Sequence, residues 1–214
     1  MHVKSASPDI TICGHPYEKY VEMVRAFHGH IAPGMILGGF MVDLAFRNRP
    51  QADLFDAICE TRHCLPDAVQ LLTPCTVGNG WLRIVDTGRF ALSLYAKYTG
   101  EGVRVHVDNA KLDAWPAIRT FLFKLKPKKE QDHQALIAEI RMANSAILAV
   151  EHVAVDLESG ETGRRAAMSV CPGCGEGYPK RDGDVCLSCQ GRAPYLPCAK
   201  QDPHLSVITS PDKK

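Results

Sequence analysis

Four cysteines near one end leave this chain few ways to fold locally. Cys171-Pro172-Gly173-Cys174 and Cys186-Leu187-Ser188-Cys189 form two Cys-x-x-Cys pairs with eleven residues between them. Each pair aims two sulfurs at one point, and the second pair closes a tetrahedral set around a zinc ion. Gly173 and Gly175 allow the tight backbone that turns N–H groups towards thiolates. Asp182-Gly183-Asp184 is expected to turn a hairpin between the pairs. A redox dithiol pair or a rubredoxin-like iron site shares the spacing, but no neighbouring residue favours either. With four protein ligands the site is closed, so the zinc is expected to fold this segment and not to catalyse. The chain holds nine cysteines, an odd number, which fits metal ligation and free thiols better than a disulfide framework.

The 214 residues suffice for one well-buried domain of about 150 residues and a small appendage. Hydrophobic content of 45% and charged content of 23% are those of a soluble globular protein. A net charge of +1 points to neither nucleic acid nor an anionic membrane. The segment 160–214 carries eight Lys/Arg and six Asp/Glu, and four thiolates with one divalent metal cancel that surplus. Such a balance is a poor footprint for a phosphate backbone, so a structural or protein-docking finger is expected. The longest apolar run, residues 35–42, contains two glycines and stops at Asp43, far short of a membrane span. Met-His-Val-Lys-Ser-Ala-Ser-Pro at the start has no signal-peptide core. The expectation is a cytoplasmic protein with no membrane contact.

Hydrophobic periodicity gives the rest of the architecture. Tyr17, Tyr20, Val21, Val24 and Phe27 recur at helical spacing, and residues 35–46 read as a second, mostly buried helix begun at Pro33. Residues 54–61 read as a buried strand. Pro66 and Asp67 start a short helix that ends near Thr73-Pro74-Cys75. Residues 81–85 are a strand, Asp86-Thr87-Gly88-Arg89 has hairpin chemistry, and alternation continues through 90–95 and 103–107. This predicts an antiparallel three-strand meander. Helices are expected at 111–124 and 130–146, joined by the basic stretch 124–129, which reads as a solvated loop. Residues 146–155 begin as helix and continue as strand. The domains predicted are a core over 1–158, a linker over 159–170, the zinc finger over 171–192 and a proline-containing tail over 193–214. Cys198 in that tail is a spare thiol, although it and His204 could complete another site.

Between the first two helices lies Phe27-His28-Gly29-His30-Ile31-Ala32-Pro33-Gly34. Two histidines in a tight turn beside unpaired backbone N–H groups can hold an anion or a metal-bound ligand. A plain helix break, with one histidine packed and one solvated, fits the same residues.

Several short motifs, in order, resemble the FmdE family, named for a component of formylmethanofuran dehydrogenase. They are Phe27-His28-Gly29-His30-x-x-Pro33-Gly34, Cys64-x-x-Asp67-Ala68-Val69-Gln70, Thr73-x-Cys75-Thr76-x-Gly78-x-Gly80, Asp86-x-Gly88 and Thr99-Gly100-x-x-Val103. The four-cysteine unit resembles the treble-clef finger that some members carry. The resemblance implies an α+β fold, with core helices packed on an antiparallel sheet and a small C-terminal treble-clef-like zinc finger. It also implies a homodimer, a metal-binding cleft and a link to a molybdenum- or tungsten-dependent dehydrogenase. The family's usual pattern has a cysteine where this chain has Ala32, so one core ligand is missing. A possible second metal could be held by His30, Cys64 and Cys75, with His28 or a water completing the set. Cys64 precedes a helix start, where a thiolate is favoured, and Asp67 is placed to accept a hydrogen bond or carry a proton. Cys64 and Cys75 as small buried apolar residues is the competing reading.

The catalytic candidates are thus His28, His30, Cys64, Asp67 and Cys75, and the structural zinc ligands are Cys171, Cys174, Cys186 and Cys189. Three functions fit them. One is a metal-binding accessory to, or associate of, a molybdenum/tungsten formylmethanofuran or formate-type dehydrogenase, with an oxidoreductase subunit as partner. Another is a zinc-finger adaptor or regulator that senses a small ligand through the core cleft. The third is a free-standing metal enzyme for a one-carbon or acyl substrate, against which Ala32 weighs.

Overall fold

The computed structural model describes residues 10–157 and 167–194. The chain divides into two compact units, residues 1–160 and 161–214. Much of the linker, the tail beyond residue 194, Cys198 and His204 lie outside the described residues.

The larger unit is built on one helix. After a two-residue hairpin, β1 (Thr11–Ile12) and β2 (His15–Pro16), come α1 (Tyr17–His28) and α2 (Pro33–Asn48). Gly29 ends α1 in the left-handed conformation (φ 84°), and α2 opens at Pro33, the start that the sequence predicts. In α2, every residue from Gly34 to Val42 is buried, an all-round apolar helix that must be covered on every side. It packs on α1, on α3 (Leu65–Leu72), on α5 (His133–Ala143), and on the central strands of the sheet. Glycines make this possible. A Cβ on Gly39 would come within 2.5 Å of the Tyr20 ring, and one on Gly38 within 2.8 Å of the Ala68 Cβ. The Tyr20 hydroxyl, buried in that gap, donates to the Met35 carbonyl at 2.7 Å.

The sheet has five strands in the order β4-β3-β5-β6-β7: β3 (Phe55–Cys59), β4 (Leu82–Ile84), β5 (Ala91–Ala96), β6 (Glu101–Val107) and β7 (Leu148–Ala154). All neighbours are antiparallel except β3 and β4, which are parallel. The expected meander is therefore correct for β5–β6 and wrong for β4. Residues 86–89 do not close a hairpin, because β3 inserts between β4 and β5, pairing Ala57 with both Leu82 and Leu94. The physical reason is burial. Ala57 and Cys59 are fully buried and belong at a sheet centre, whereas β4 is three residues long with a half-exposed Ile84, as suits an edge. Two helices are shorter than predicted. Trp115, restrained by Pro116, is non-helical, so α4 covers only Pro116–Leu122. Asp132 caps α5 by accepting the Ala135 N–H. A 3-10 turn, Asn144–Ile147, leads into β7, close to the expected helix-to-strand transition.

One sheet face, with Leu92, Leu94, Val103 and Val105, joins the core under α2. The other face is polar. There Arg104 on β6 holds Glu60 through Nη2 at 3.1 Å and Glu151 at 3.0 Å, and Arg89 reaches Glu60 at 2.7 Å. Burial pushes the Glu60 carboxyl up, but the hydrogen bonds and charge of Arg104, then Arg89 and Thr87, outweigh it and hold the group below its usual value.

Two consequences are measurable. Gly39→Ala is expected to lower stability by about 1–3 kcal/mol despite alanine's better helix propensity, because the Tyr20 ring must move; thermal unfolding reads this out. Glu60→Gln is expected to cost about 1–3 kcal/mol at pH 7. Because folding depresses the Glu60 pKa, its contribution is present above the unfolded value of about 4.3 and is lost as pH falls through the folded value. Urea titrations across pH should thus show wild type and variant converging in acid.

Candidate functional site

The smaller unit tests the zinc expectation by geometry. Strands β8 (Met168–Val170) and β9 (Gly177–Pro179) form an antiparallel hairpin whose turn is the first cysteine knuckle. The hairpin thus precedes Asp182-Gly183-Asp184, contrary to expectation, and that turn instead delivers the second pair. The sulfurs of Cys171, Cys174, Cys186 and Cys189 all lie within 4.8 Å of one another. Cys171 and Cys189 are 3.8 Å apart, and Cys174 and Cys186 are 3.7 Å apart. Four sulfurs at about 2.3 Å from a tetrahedral zinc are separated by about 3.8 Å, so the thiols fit the ion. Backbone N–H groups of Cys186 and Cys189 point at the sulfurs of Cys171 and Cys186. The Cys186 N–H leads the groups that draw the Cys171 thiol down to about 6, while hydrogen bonding with the Cys186 thiol and then the other two pushes Cys189 up to about 12. A Cβ on Gly173 would stand 3.1 Å from the Cys189 sulfur, which is why glycine suits this knuckle.

The larger unit contains a cleft of about 500 Å³ at the α1–α2 junction. Its first wall is the predicted turn: His28 ends α1, His30 follows the Gly29 cap, and their rings lie 4.9 Å apart. The second wall is the start of α3. There Asp67 accepts from the His28 ring Nδ1 at 2.7 Å and from the Gln70 amide at 3.4 Å, so the carboxylate fixes one nitrogen of His28. Cys64 caps α3 with a positive φ (50°), unusual for a residue with a Cβ. A Cβ on Gly34 would fall 2.9 Å from that of Cys64, so the glycine lets the two helix starts meet.

Cys64 is not a favoured thiolate, contrary to its helix-start position. Burial, then the charge of Asp67, push its pKa up, with Lys128 partly opposing. Cys75 is absent from the cleft: it is fully buried, its thiol faces the Phe55 carbonyl at 3.4 Å, and burial raises its pKa also. The set His30, Cys64 and Cys75 is therefore not assembled. Among the described residues, the four finger cysteines are the one group of three or more such side chains with converging donor atoms. Ala32 caps α2 and lines the cleft.

A third wall escaped the sequence because it comes from a hundred residues away. Phe121, Lys128, Gln131, His133 and Leu136 close the cleft, and the His133 Nε2 pairs with the Ile31 carbonyl at 3.1 Å. Lys128 belongs to the basic stretch that read as a solvated loop. Only the fold brings it here. Cys13 forms the β1–β2 turn, where its N–H donates to Asp43 at 2.9 Å.

Residues 27–155 match the family model described as FmdE, molybdenum formylmethanofuran dehydrogenase operon, and residues 162–196 match the FmdE treble clef zinc finger. The chain belongs to the FmdE family. It is similar to the crystal structure of a tungsten formylmethanofuran dehydrogenase FmdE-like protein from Syntrophus aciditrophicus. That match has 52% identity and a TM-score of 0.81, covering 89% of this chain and all of the other. A shorter stretch is 37% identical over 92 residues to a probable S-adenosyl-L-methionine-binding protein of Archaeoglobus fulgidus. That stretch is 39% of this chain and spans a quarter of the relative's length. Like the family treble clef it matches, the smaller unit is a metal-binding zinc finger. No helix among the described residues is long and apolar enough to cross a membrane.

Wild type is expected to carry one zinc per chain in the finger, and Cys186→Ser to lose most of it. Elemental analysis of anaerobically purified protein reads this, and full zinc retention in the variant would count against the finger site.

Proposed function

We propose that this FmdE-family protein is an accessory to, or associate of, a molybdenum- or tungsten-dependent dehydrogenase of the formylmethanofuran or formate type. The finger keeps the smaller unit folded, and the core cleft does the binding. The observation that carries this reading is the Asp67–His28 pair in the lining of a roomy pocket in the FmdE domain. A carboxylate on Nδ1 fixes the ring and its tautomer, so Nε2 is the nitrogen available to exchange a proton or hold a ligand. The similar Syntrophus protein, described as tungsten formylmethanofuran dehydrogenase FmdE-like, supports the choice of partner class.

The cleft favours binding over free-standing metal catalysis. An open catalytic zinc needs three converging protein donors, and His28, His30 and Cys64 do not converge in that way. This favours the ligand-sensing adaptor as the second reading.

Tagged full-length protein, purified gently from native anaerobic extract, is expected to recover a molybdenum or tungsten dehydrogenase component identified by mass spectrometry. Recovery is expected to fall at least several-fold with His28→Ala. Finding no such component would sink the association. Metal content is read in parallel: the finger accounts for one zinc per chain, and a second equivalent that disappears in His30→Ala would put a metal in the cleft.

A further inference from the structure

The cleft has a charge and a shape that the association alone does not explain. Arg62 and Lys128 line it, with the rings of His30 and His63 beside them. Asp67 is its single carboxylate, and both of its oxygens already accept hydrogen bonds, from His28 and Gln70. Arg62 holds Asp86 through Nε at 2.6 Å, outside the cleft lining. Lys128 has no carboxylate in ion-pair reach among the described residues, yet it lies close enough to the Cys64 thiol to act on it electrostatically. The starts of two helices, α2 at Pro33–Gly34 and α3 at Cys64, face the same space, and their dipoles add to the positive field. Phe121, Leu136, Ala32 and Pro33 add apolar surface to the same lining.

From the cationic and apolar groups that line one cleft, we infer that it binds a small organic carboxylate with an apolar body. The carboxylate sits between Lys128 and the start of α3, and the body lies against Phe121 and Leu136. A cation there meets Lys128, and Asp67, the cleft's single carboxylate, is already committed to His28 and Gln70. A neutral ligand strips water from Lys128 without replacing it. A volume of about 500 Å³ admits a ring with a short chain. The inference rests on the cleft being the binding site, as proposed above, and adds the class of ligand.

The test is isothermal titration of the full, zinc-loaded chain with 4-phenylbutyrate, its amide and 4-phenylbutylamine. The acid is expected to bind about tenfold or more tighter than the amide, the worth of a charge-assisted hydrogen bond, and the amine weakest. Lys128→Gln is expected to erase most of the acid's advantage while leaving the amide unchanged, and Lys128→Arg to restore it. Phe121→Ala weakens acid and amide together. Equal binding of acid and amide, preference for the amine, or no binding by any of the three overturns the inference. So does an acid preference that vanishes when metal beyond the finger zinc is stripped, since a metal and not Lys128 would then hold the carboxylate. Recovery of the dehydrogenase component is scored separately. Lost acid preference with recovery intact refutes only the ligand class, and the reverse result refutes only the association.

Discussion

Everything in the larger unit depends on burying one apolar helix without gaps. From Gly34 to Val42, α2 has no polar side to give to water. Its neighbours must reach its backbone, and glycine is the residue that lets them. Tyr20 lies over Gly39, Ala68 over Gly38 and Cys64 over Gly34. The last of these contacts also makes the site, because it draws the start of α3 against the start of α2. The residues that pack the core therefore set the distance between the cleft's first two walls.

The cleft places chemistry that packing alone does not require. Asp67 spends both oxygens, one on His28 and one on Gln70. A fixed imidazole and an uncompensated lysine, in a pocket whose one carboxylate is already committed, form the setting we propose for a bound carboxylate. The sulfurs of this unit agree with that. Cys75 and Cys59 are buried side by side, and burial pushes the Cys59 thiol to about 12. Neither lines the cleft. The metal chemistry is concentrated in the smaller unit, where four sulfurs already stand at zinc spacing and a thin hydrophobic cluster of Cys171, Tyr178 and Cys186 could not fold so short a segment by itself.

What depended on local pattern was legible in the chain. The tight turn between the first two helices, Pro33 at a helix start, the short helix at 65–72 and the Cys-x-x-Cys pairs are set by residues within a few positions of one another. Strand existence was legible for the same reason, since alternation is a local signal. Strand order was not. Residues 86–89 have hairpin chemistry, yet β3 takes the place between β4 and β5, because two fully buried residues in β3 outweigh a favourable turn.

The sequence by itself determined which residues could do chemistry: two histidines around a glycine, Asp67 one turn into a helix, and four cysteines in two knuckles. Tertiary structure decided which of them meet. It joined His28 to Asp67 across 39 positions, and it sent Cys75 into the core. It also turned Lys128 and His133 from a basic connector and a distant helix into the third wall of the cleft. The physical reason is that side-chain type and spacing fix local geometry, whereas a cleft wall forms wherever long-range burial brings two segments together. Nothing in residues 124–136 alone encodes the neighbour they will face.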